Sequence, residues 1–361
     1  MRYKDRKLLD KVFILGAGSS YSLTAGQSNK NWIAPLDAEF PKRICDLQNK
    51  RGWSKEASQR ILEDWLYHVD FNKMSLEKAI SQQIADLHFL EAIQPHKGIQ
   101  QRNALEYLED VTYVISYILK QIRVKNKKAE ELFIQKFFDY VSVDACPNRI
   151  ITFNYDTIVD APLIAKYKPQ DVYFYKIKSG RNIKNPRVTH NRHPLLLKLH
   201  GSVNWYCTKD TFREIFIDLS KTNTKSFAIK DDASTSRYIK DIWIDYTCIS
   251  PKDDCIPLTI PPIPVKPVTD ISIFTYLWTC AYEYLHDCKE IVISGYSLPE
   301  TDTLAVSLFS KFKNMQLTKL TIIDPSAVSI SKWMAIFQRK NISRKYKIEY
   351  YPDFCQYIKN I

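Results

Sequence analysis

Residues 11–20 of the chain read KVFILGAGSS, and this stretch decides the fold. Residues 11–15 are a short apolar run that is rich in β-branched and aromatic side chains, which is typical of a strand buried inside a parallel sheet. The glycine turn from Gly16 to Ser20 follows directly and opens a helix or a loop. We therefore predict that residues 11–15 form the first strand of a parallel sheet.

Strand patterns return after a long helical stretch. From residue 37 onward the spacing of apolar residues predicts helices over 57–69, 75–90, 103–123 and 129–140, without a proline in their interiors. Later strands are predicted at 149–154, 195–199, 290–294, 320–323 and 347–351, with helices at 272–285, 302–312 and 328–338. Residues 206–270 are predicted to be irregular, and their proline-rich tract 256–267 is expected to be extended but outside any central strand. The order predicts an α/β fold with helices on both faces of a parallel sheet.

This order also predicts how the chain is divided. Its 361 residues allow two or three units at about 150 residues per domain. We expect a sheet domain over residues 1–36 and 146–361, interrupted by an all-helical module over residues 37–145. The module would be a lid over the ligand site or an assembly surface. A hydrophobic content of 45% excludes a disordered or fibrous chain.

The net charge of +12 permits an anionic ligand, a nucleic acid or an acidic partner without distinguishing them. Basic residues concentrate in two segments, Lys176, Lys178, Arg181, Lys184, Arg187 and Arg192, and Arg339, Lys340, Arg344, Lys345 and Lys347. These segments leave a nucleic-acid-binding or nuclease role open, although they carry no groove-reading or metal-binding pattern.

The cysteines and the N-terminal segment bear on the compartment. None of the eight cysteines forms a CxxC pair, so neither a metal module nor a disulfide framework is predicted. The apolar run at residues 12–15 is too short for a signal peptide or a membrane span. We expect a cytoplasmic protein in a reducing compartment, without membrane contact and without a metal.

Candidate binding residues stand where the predicted strands end, which is where ligands of open α/β sheets bind. They are Gly16, Ala17, Gly18, Ser19 and Ser20, then Asn154 and Asp156, then His200, Gly201 and Ser202, then Gly295 and Ser297, and finally Asp324. A glycine turn before a helix suits a phosphate because no Cβ blocks the approach, and an acid at a strand end suits a ribose diol. These residues predict a dinucleotide site with a polar triplet, Asn154, Asp156 and His200, beside it.

Four short motifs give these residues a family resemblance. The segments GAGSS at 16–20, TFNYD at 152–156, LHGS at 199–202 and GYS at 295–297 resemble the sirtuin motif series in order and spacing. The segments FNYD at 153–156, HGSVNW at 200–205 and GYSL at 295–298 are closer to the sirtuin-like domains of prokaryotic anti-phage defence systems. The resemblance covers residues 11–35 and 149–326, and implies a Rossmann-like, sirtuin-type sheet.

The resemblance also implies a function. It implies an NAD⁺ hydrolase that releases nicotinamide and ADP-ribose and acts in defence by depleting NAD⁺. Asn154 would position the water or the nicotinamide ribose, His200 would be the general base, and Asp156 would orient the nicotinamide end. The turn residues Gly16, Ala17, Gly18, Ser19 and Ser20 would hold the pyrophosphate, while Gly295, Ser297 and Asp324 would meet the adenosine half. A homo-oligomer and a separate activator, such as a hexameric ATP-dependent DNA translocase, are the partners implied.

One departure from the family limits the substrate. Sirtuin deacylases carry a four-cysteine zinc module between the His-Gly motif and the later glycine turn, and residues 206–270 lack that spacing. We therefore expect no zinc ribbon, retention of the glycosidic chemistry, and loss of the peptide substrate. A protein deacylase and a nucleic-acid-binding subunit of a defence complex stay open as alternatives.

Overall fold

A computed structural model describes most of the chain. The described residues are 9–47, 57, 59–61, 63, 75–93, 104–138, 148–167, 172–173, 195–216, 242–244, 255–261, 263, 266, 272–300, 302–340 and 346–360. Their strands are β1 (Leu9–Leu15), β2 (Asn148–Thr152), β3 (Leu196–Lys198), β4 (Gly201–Thr208), β5 (Ile242–Ile244), β6 (Cys255–Thr259), β7 (Cys288–Ser294), β8 (Lys319–Ile323) and β9 (Lys347–Tyr351).

The helices alternate with these strands. They are α1 (Ala17–Thr24), α2 (Phe40–Leu47), α3 (Leu76–Ile93), α4 (Ala104–Lys120), α5 (Lys127–Phe138), α6 (Asp160–Lys166), α7 (Lys209–Phe216), α8 (Ser272–Asp287), α9 (Thr303–Lys311), α10 (Ala327–Lys340) and α11 (Phe354–Asn360). Two 3₁₀ turns, Lys30–Trp32 and Asp37–Glu39, precede α2. The predicted helix 57–69 is described only at 57, 59–61 and 63.

The main sheet has six strands in the order β3-β2-β1-β7-β8-β9, and every neighbouring pair is parallel. Strand β1 lies at its centre, with Ile14 in register with Ile151 of β2 and Ile293 of β7. Residues 12–15 have no exposed surface, as an apolar run between two parallel neighbours requires. The predicted α/β fold with a parallel sheet flanked by helices is confirmed. Strand order reverses between β1 and β7, and this reversal creates a crevice at the carboxyl ends of the strands.

Helix α5 covers the sheet at β1, although it falls within the predicted helical module 37–145. The rings of Phe133 and Phe137 meet Phe13 edge to face, with centroids 5.3 and 4.9 Å away. Phe133 also meets Phe354 of α11 at 5.2 Å. The last helix before β2 is thus part of the layer that packs on the sheet. The division of the chain into two units stays a prediction.

A second sheet corrects one prediction. The sequence predicts that residues 206–270 are irregular, but β4, β5 and β6 pair antiparallel in the order β5-β4-β6. The sequence hides this sheet because β5 and β6 are short and lie far from β4 along the chain, so that no local pattern shows the pairing. Pro257 lies in β6 at an edge of the described sheet, which suits a residue without an N–H. That position fits the expectation that the proline-rich tract lies outside central strands.

Candidate functional site

A cavity of about 180 Å³ opens at the carboxyl ends of the strands, where strand order reverses. The turn after β1 contributes Ala17 and Ser20, and the segment after β2 contributes residues 153–156. His200 follows β3, and residues 295–297 follow β7. The polar triplet Asn154, Asp156 and His200, predicted from two separate strand ends, therefore lines a single cavity.

Three glycines bring the turns after β1 and β7 into backbone contact. The amide of Gly16 donates to the Ser294 carbonyl, and the amide of Gly18 donates to the Gly295 carbonyl, both at 2.9 Å. A Cβ on Gly16 would lie 2.5 Å from the Gly295 oxygen, and one on Gly295 would lie 2.3 Å from the Ser19 nitrogen. Gly295 also has a φ of +59°, which disfavours other residues. These glycines are required because two backbones approach each other closely.

The glycine turn presents few groups to the cavity. Ser19 donates its amide and its hydroxyl to the Gly16 carbonyl, at 3.0 and 2.6 Å. Of the five turn residues, only Ala17 and Ser20 line the cavity. Within the described part of the chain, the Ala17 amide has no backbone acceptor. Contacts of Gly16, Gly18 and Ser19 with a pyrophosphate stay predictions.

Asn154 is held by two hydrogen bonds from its amide group. Its Nδ2 donates to the Gly16 carbonyl at 2.9 Å and to Ser20 Oγ at 3.0 Å. Ser20 in turn donates to Asp156 Oδ2 at 2.8 Å. Asn154 Oδ1 accepts no hydrogen bond from the described residues, so it is the acceptor that this side chain offers to a ligand.

Asp156 is held in place by hydrogen bonds to its side chain and to its main chain. Its Oδ1 accepts the amide of Ile158 at 3.0 Å, and its main-chain carbonyl accepts a hydrogen bond from Lys198. Lys198 also pairs with Asp160 Oδ2 at 2.9 Å, and both side chains are buried. Burial raises the pKa of Asp156, and the positive charge of Lys198 opposes that rise. Both carboxylate oxygens of Asp156 therefore have hydrogen-bond donors. Its link to Asn154 runs through the Ser20 hydroxyl, which donates to Asp156 and accepts from Asn154.

His200 is buried against a carboxylate that sequence reasoning did not select. Its Nε2 lies 3.1 Å from Asp302 Oδ2, although the ring N–H is not well directed at that oxygen. The phenyl ring of Phe153 stands edge-on to the imidazole at 5.2 Å and stacks on Tyr296 at 4.0 Å. Burial lowers the pKa of His200, while Asp302 acts in the opposite direction.

Asp302 gathers two further partners. Lys266 Nζ pairs with its Oδ1 at 3.0 Å, and the Tyr296 hydroxyl donates to its Oδ2 at 2.7 Å. No local signal identifies these residues, because Asp302 reads as the cap of a helix and Lys266 lies inside a proline-rich tract. Only the fold brings both of them next to His200.

Two predicted adenosine contacts have different surroundings. Ser297 lines the cavity. Asp324 does not, and its oxygens accept hydrogen bonds from the Ser326 amide and the Ser329 hydroxyl, each at 2.8 Å, at the start of α10. An Asp324 contact with a ribose stays a prediction. Gly201 and Ser202, also named at this edge, are buried in β4 and do not line the cavity.

The helical stretch closes one side of the cavity. It contributes Asp37, Phe40, Leu76, Glu77 and Leu119 to the wall. Burial raises the pKa of Asp37, and its hydrogen bonds with the amides of Glu77 and Leu76 at the start of α3 oppose the rise. The stretch therefore forms part of the wall of the cavity that the polar triplet lines, and its role as a lid stays a prediction.

The described residues contain no group of three His, Cys, Asp or Glu side chains that could hold a metal ion. No helix among them has the length and hydrophobicity that crossing a bilayer requires. The first predicted basic segment, from Lys176 to Arg192, lies outside the described residues, as do Arg344 and Lys345.

The chain matches no protein-family model and no curated protein.

Proposed function

We propose that this protein is an NAD⁺ glycohydrolase that cleaves NAD⁺ to nicotinamide and ADP-ribose. The observation that carries the proposal is the convergence of Asn154, Asp156 and His200 on one cavity at the reversal of strand order. Crevices at this position in open α/β sheets bind nucleotides. The sirtuin-like motifs add the identity of the substrate.

The reaction breaks the bond between the nicotinamide nitrogen and C1′ of the ribose. Nicotinamide leaves as a neutral molecule with the bonding electrons, and a water oxygen forms the new bond to C1′. The transition state has oxocarbenium character, so the site must position the ribose and the water rather than supply a strong acid. Asn154 Oδ1 is available to accept a hydrogen bond from that water or from a ribose hydroxyl.

His200 would take the proton that the water loses. Burial lowers the pKa of His200 and so keeps the imidazole neutral near pH 7, as a general base must be. Asp37 and Glu77 also line the cavity, where an ionised carboxylate would favour a cationic nicotinamide ring and a cationic transition state.

We extend the proposal to the biological setting that the motifs imply. The enzyme would act as the effector of an anti-phage defence system and deplete NAD⁺ when it is activated. It would work as a homo-oligomer together with a separate activator, for which a hexameric ATP-dependent DNA translocase is the first candidate.

The test is to incubate the purified chain with NAD⁺ and follow nicotinamide and ADP-ribose by chromatography. We expect Asn154→Ala and His200→Ala each to reduce turnover by roughly 10²–10⁴-fold, the usual contribution of a positioned acid–base group. His286→Ala is the matched control, because His286 is a partly exposed histidine outside the cavity wall. Near-full turnover in either cavity variant would refute the assigned roles. Neither turnover nor thermal stabilisation by NAD⁺ in the wild-type protein would refute the proposal itself.

A further inference from the structure

The surroundings of Asp302 are those of a carboxylate held in one orientation. Its Oδ2 lies 3.1 Å from His200 Nε2 and 2.7 Å from the Tyr296 hydroxyl. Its Oδ1 lies 3.0 Å from Lys266 Nζ and also accepts the Ala305 amide at 3.4 Å, as the N-cap of α9. Four partners from four segments of the chain therefore surround one side chain.

The side chains of Asp302, Lys266 and His200 in this cluster are all buried. The side chains of Asp302 and Lys266 are 2% and 1% exposed, and that of His200 is 8% exposed. A buried carboxylate is costly unless cations and hydrogen bonds compensate it. Burial opposes the ionisation of Asp302, but His200, Lys266 and the Tyr296 hydroxyl together hold its pKa well below the usual value. The charge at this point of the wall is therefore permanent near neutral pH.

The two ring nitrogens of His200 have different environments. Nε2 is buried 3.1 Å from Asp302 Oδ2, with its N–H outside good hydrogen-bond geometry to that oxygen. Nδ1 has no partner among the described residues, and His200 lines the cavity. A carboxylate beside one ring nitrogen favours the tautomer with the proton on that nitrogen and leaves the lone pair on the other.

We propose that Asp302 is a positioning residue for His200, which keeps the imidazole proton on Nε2 and so offers Nδ1 to the cavity as the basic nitrogen. Its meaning for catalysis rests on the proposed NAD⁺ hydrolysis, since Nδ1 would then accept the proton of the attacking water. Lys266 and Tyr296 act on His200 indirectly, because they hold the Asp302 carboxylate in place. This role explains why a lysine inside the proline-rich tract is buried at the wall of a cavity.

The titration of His200 depends on several charged groups. Asp302 favours the protonated ring, whereas burial and Lys266 disfavour it. Asp37 and Glu77 face the same cavity from the helical stretch, and the hydroxyls of Tyr155 and Tyr296 lie nearby with pKa values raised by burial. Removing the charge of Asp302 should therefore lower the pKa of His200 further.

The variant that isolates the effect is Asp302→Asn. Asparagine is as good an N-cap as aspartate, so α9 keeps its cap, and the two side chains have the same shape. An Asn amide that donates toward Nε2 would shift the imidazole proton to Nδ1. Asp353→Asn is the matched control, because Asp353 also accepts a backbone amide at the start of a helix, α11, but lies outside the cavity wall.

The primary readout is independent of activity. Long-range ¹H–¹⁵N spectra of the full chain labelled with ¹⁵N-histidine report the tautomer of each ring, and the His200→Gln spectrum assigns the signal. We expect an Nε2–H tautomer in the wild-type protein and in Asp353→Asn, and an Nδ1–H tautomer in Asp302→Asn. An Nδ1–H tautomer in the wild-type protein would overturn the proposal even if Asp302→Asn failed to fold, and so would an unchanged tautomer in a folded Asp302→Asn.

Kinetics supply the second readout. We expect Asp302→Asn to lower kcat for NAD⁺ hydrolysis by roughly 10²–10⁴-fold with little change in KM, and to move the acid limb of the pH profile to lower pH. An unchanged kcat in a folded variant would overturn the positioning role. If the wild-type protein does not hydrolyse NAD⁺ at all, the proposed function fails, and the tautomer measurement alone then decides whether Asp302 positions His200.

Discussion

Replacing Gly295 by alanine tests whether the turns after β1 and β7 form one packed unit. A Cβ at this position would lie 2.3 Å from the Ser19 nitrogen and 2.4 Å from two Gly18 backbone atoms. None of these atoms belongs to a flexible side chain, so one of the two turns must move. The same turns carry Ala17, Ser20 and Ser297 of the cavity wall.

The expected cost has two parts. An alanine at φ +59° loses about 1–2 kcal/mol relative to glycine because of the left-handed backbone. Forcing a methyl group into a filled contact costs about 1–3 kcal/mol more. Gly295→Ala should therefore reduce the free energy of unfolding by about 2–5 kcal/mol.

Gly26→Ala is the matched control for this variant. Gly26 also has a positive φ, +75°, but a Cβ there would meet only the end of the Lys125 side chain, at 3.1 Å. It should cost only the backbone part, about 1–2 kcal/mol. Both substitutions restrict the unfolded chain equally, so this contribution cancels in the comparison.

The assay is urea denaturation followed by tryptophan fluorescence, combined with thermal stabilisation by NAD⁺. We expect Gly295→Ala to be less stable than Gly26→Ala by about 1–3 kcal/mol and to lose stabilisation by NAD⁺, while Gly26→Ala keeps it. Equal losses of stability in the two variants would show that close backbone packing is not the reason why position 295 requires a glycine. Full NAD⁺ stabilisation of Gly295→Ala would show that the turn contact does not shape the cavity.

Three further predictions concern stability. Phe13→Ala removes a fully buried ring from the central strand and should cost about 3–5 kcal/mol in urea denaturation, so a loss below about 1 kcal/mol would contradict the packing described for β1. Lys198→Met leaves Asp160 buried without its cation and should cost about 3–5 kcal/mol, whereas Lys198→Met combined with Asp160→Leu should recover most of that loss. Glu349 has a pKa lowered to about 2 by hydrogen bonds from two lysines, so its contribution to stability is present above its ordinary pKa of 4.5 and disappears as pH falls toward 2. Glu349→Gln should remove this part of the acid dependence. It should cost less than about 1 kcal/mol at pH 7, because ion pairs at the surface, such as the one with the largely exposed Lys347, contribute little, and an unchanged acid profile would contradict the pairing.

The sheet and the polar triplet follow from local patterns. An apolar run of β-branched and aromatic residues before a glycine turn has few stable alternatives to a buried parallel strand, so residues 11–15 predict β1 correctly. Parallel strands place their carboxyl ends at one edge, and this rule alone brings Asn154, Asp156 and His200 together. The three-stranded sheet of β4, β5 and β6 could not be predicted, because its pairing depends on strands separated by long segments.

Two features show what the sequence determines by itself and what depends on the tertiary structure. They are the glycine turn after β1 and the cluster of His200, Asp302 and Lys266. The sequence by itself determined that a strand ends at Leu15 and that the glycine-containing segment after it opens a helix, which is α1. Only the tertiary structure decided that these glycines are required by contact with Gly295, because the crowding comes from a backbone more than 270 residues further along the chain. Likewise, the pairing of His200 with Asp302 and Lys266 depends on burial and on distances of about 3 Å between remote segments, which no sequence pattern records.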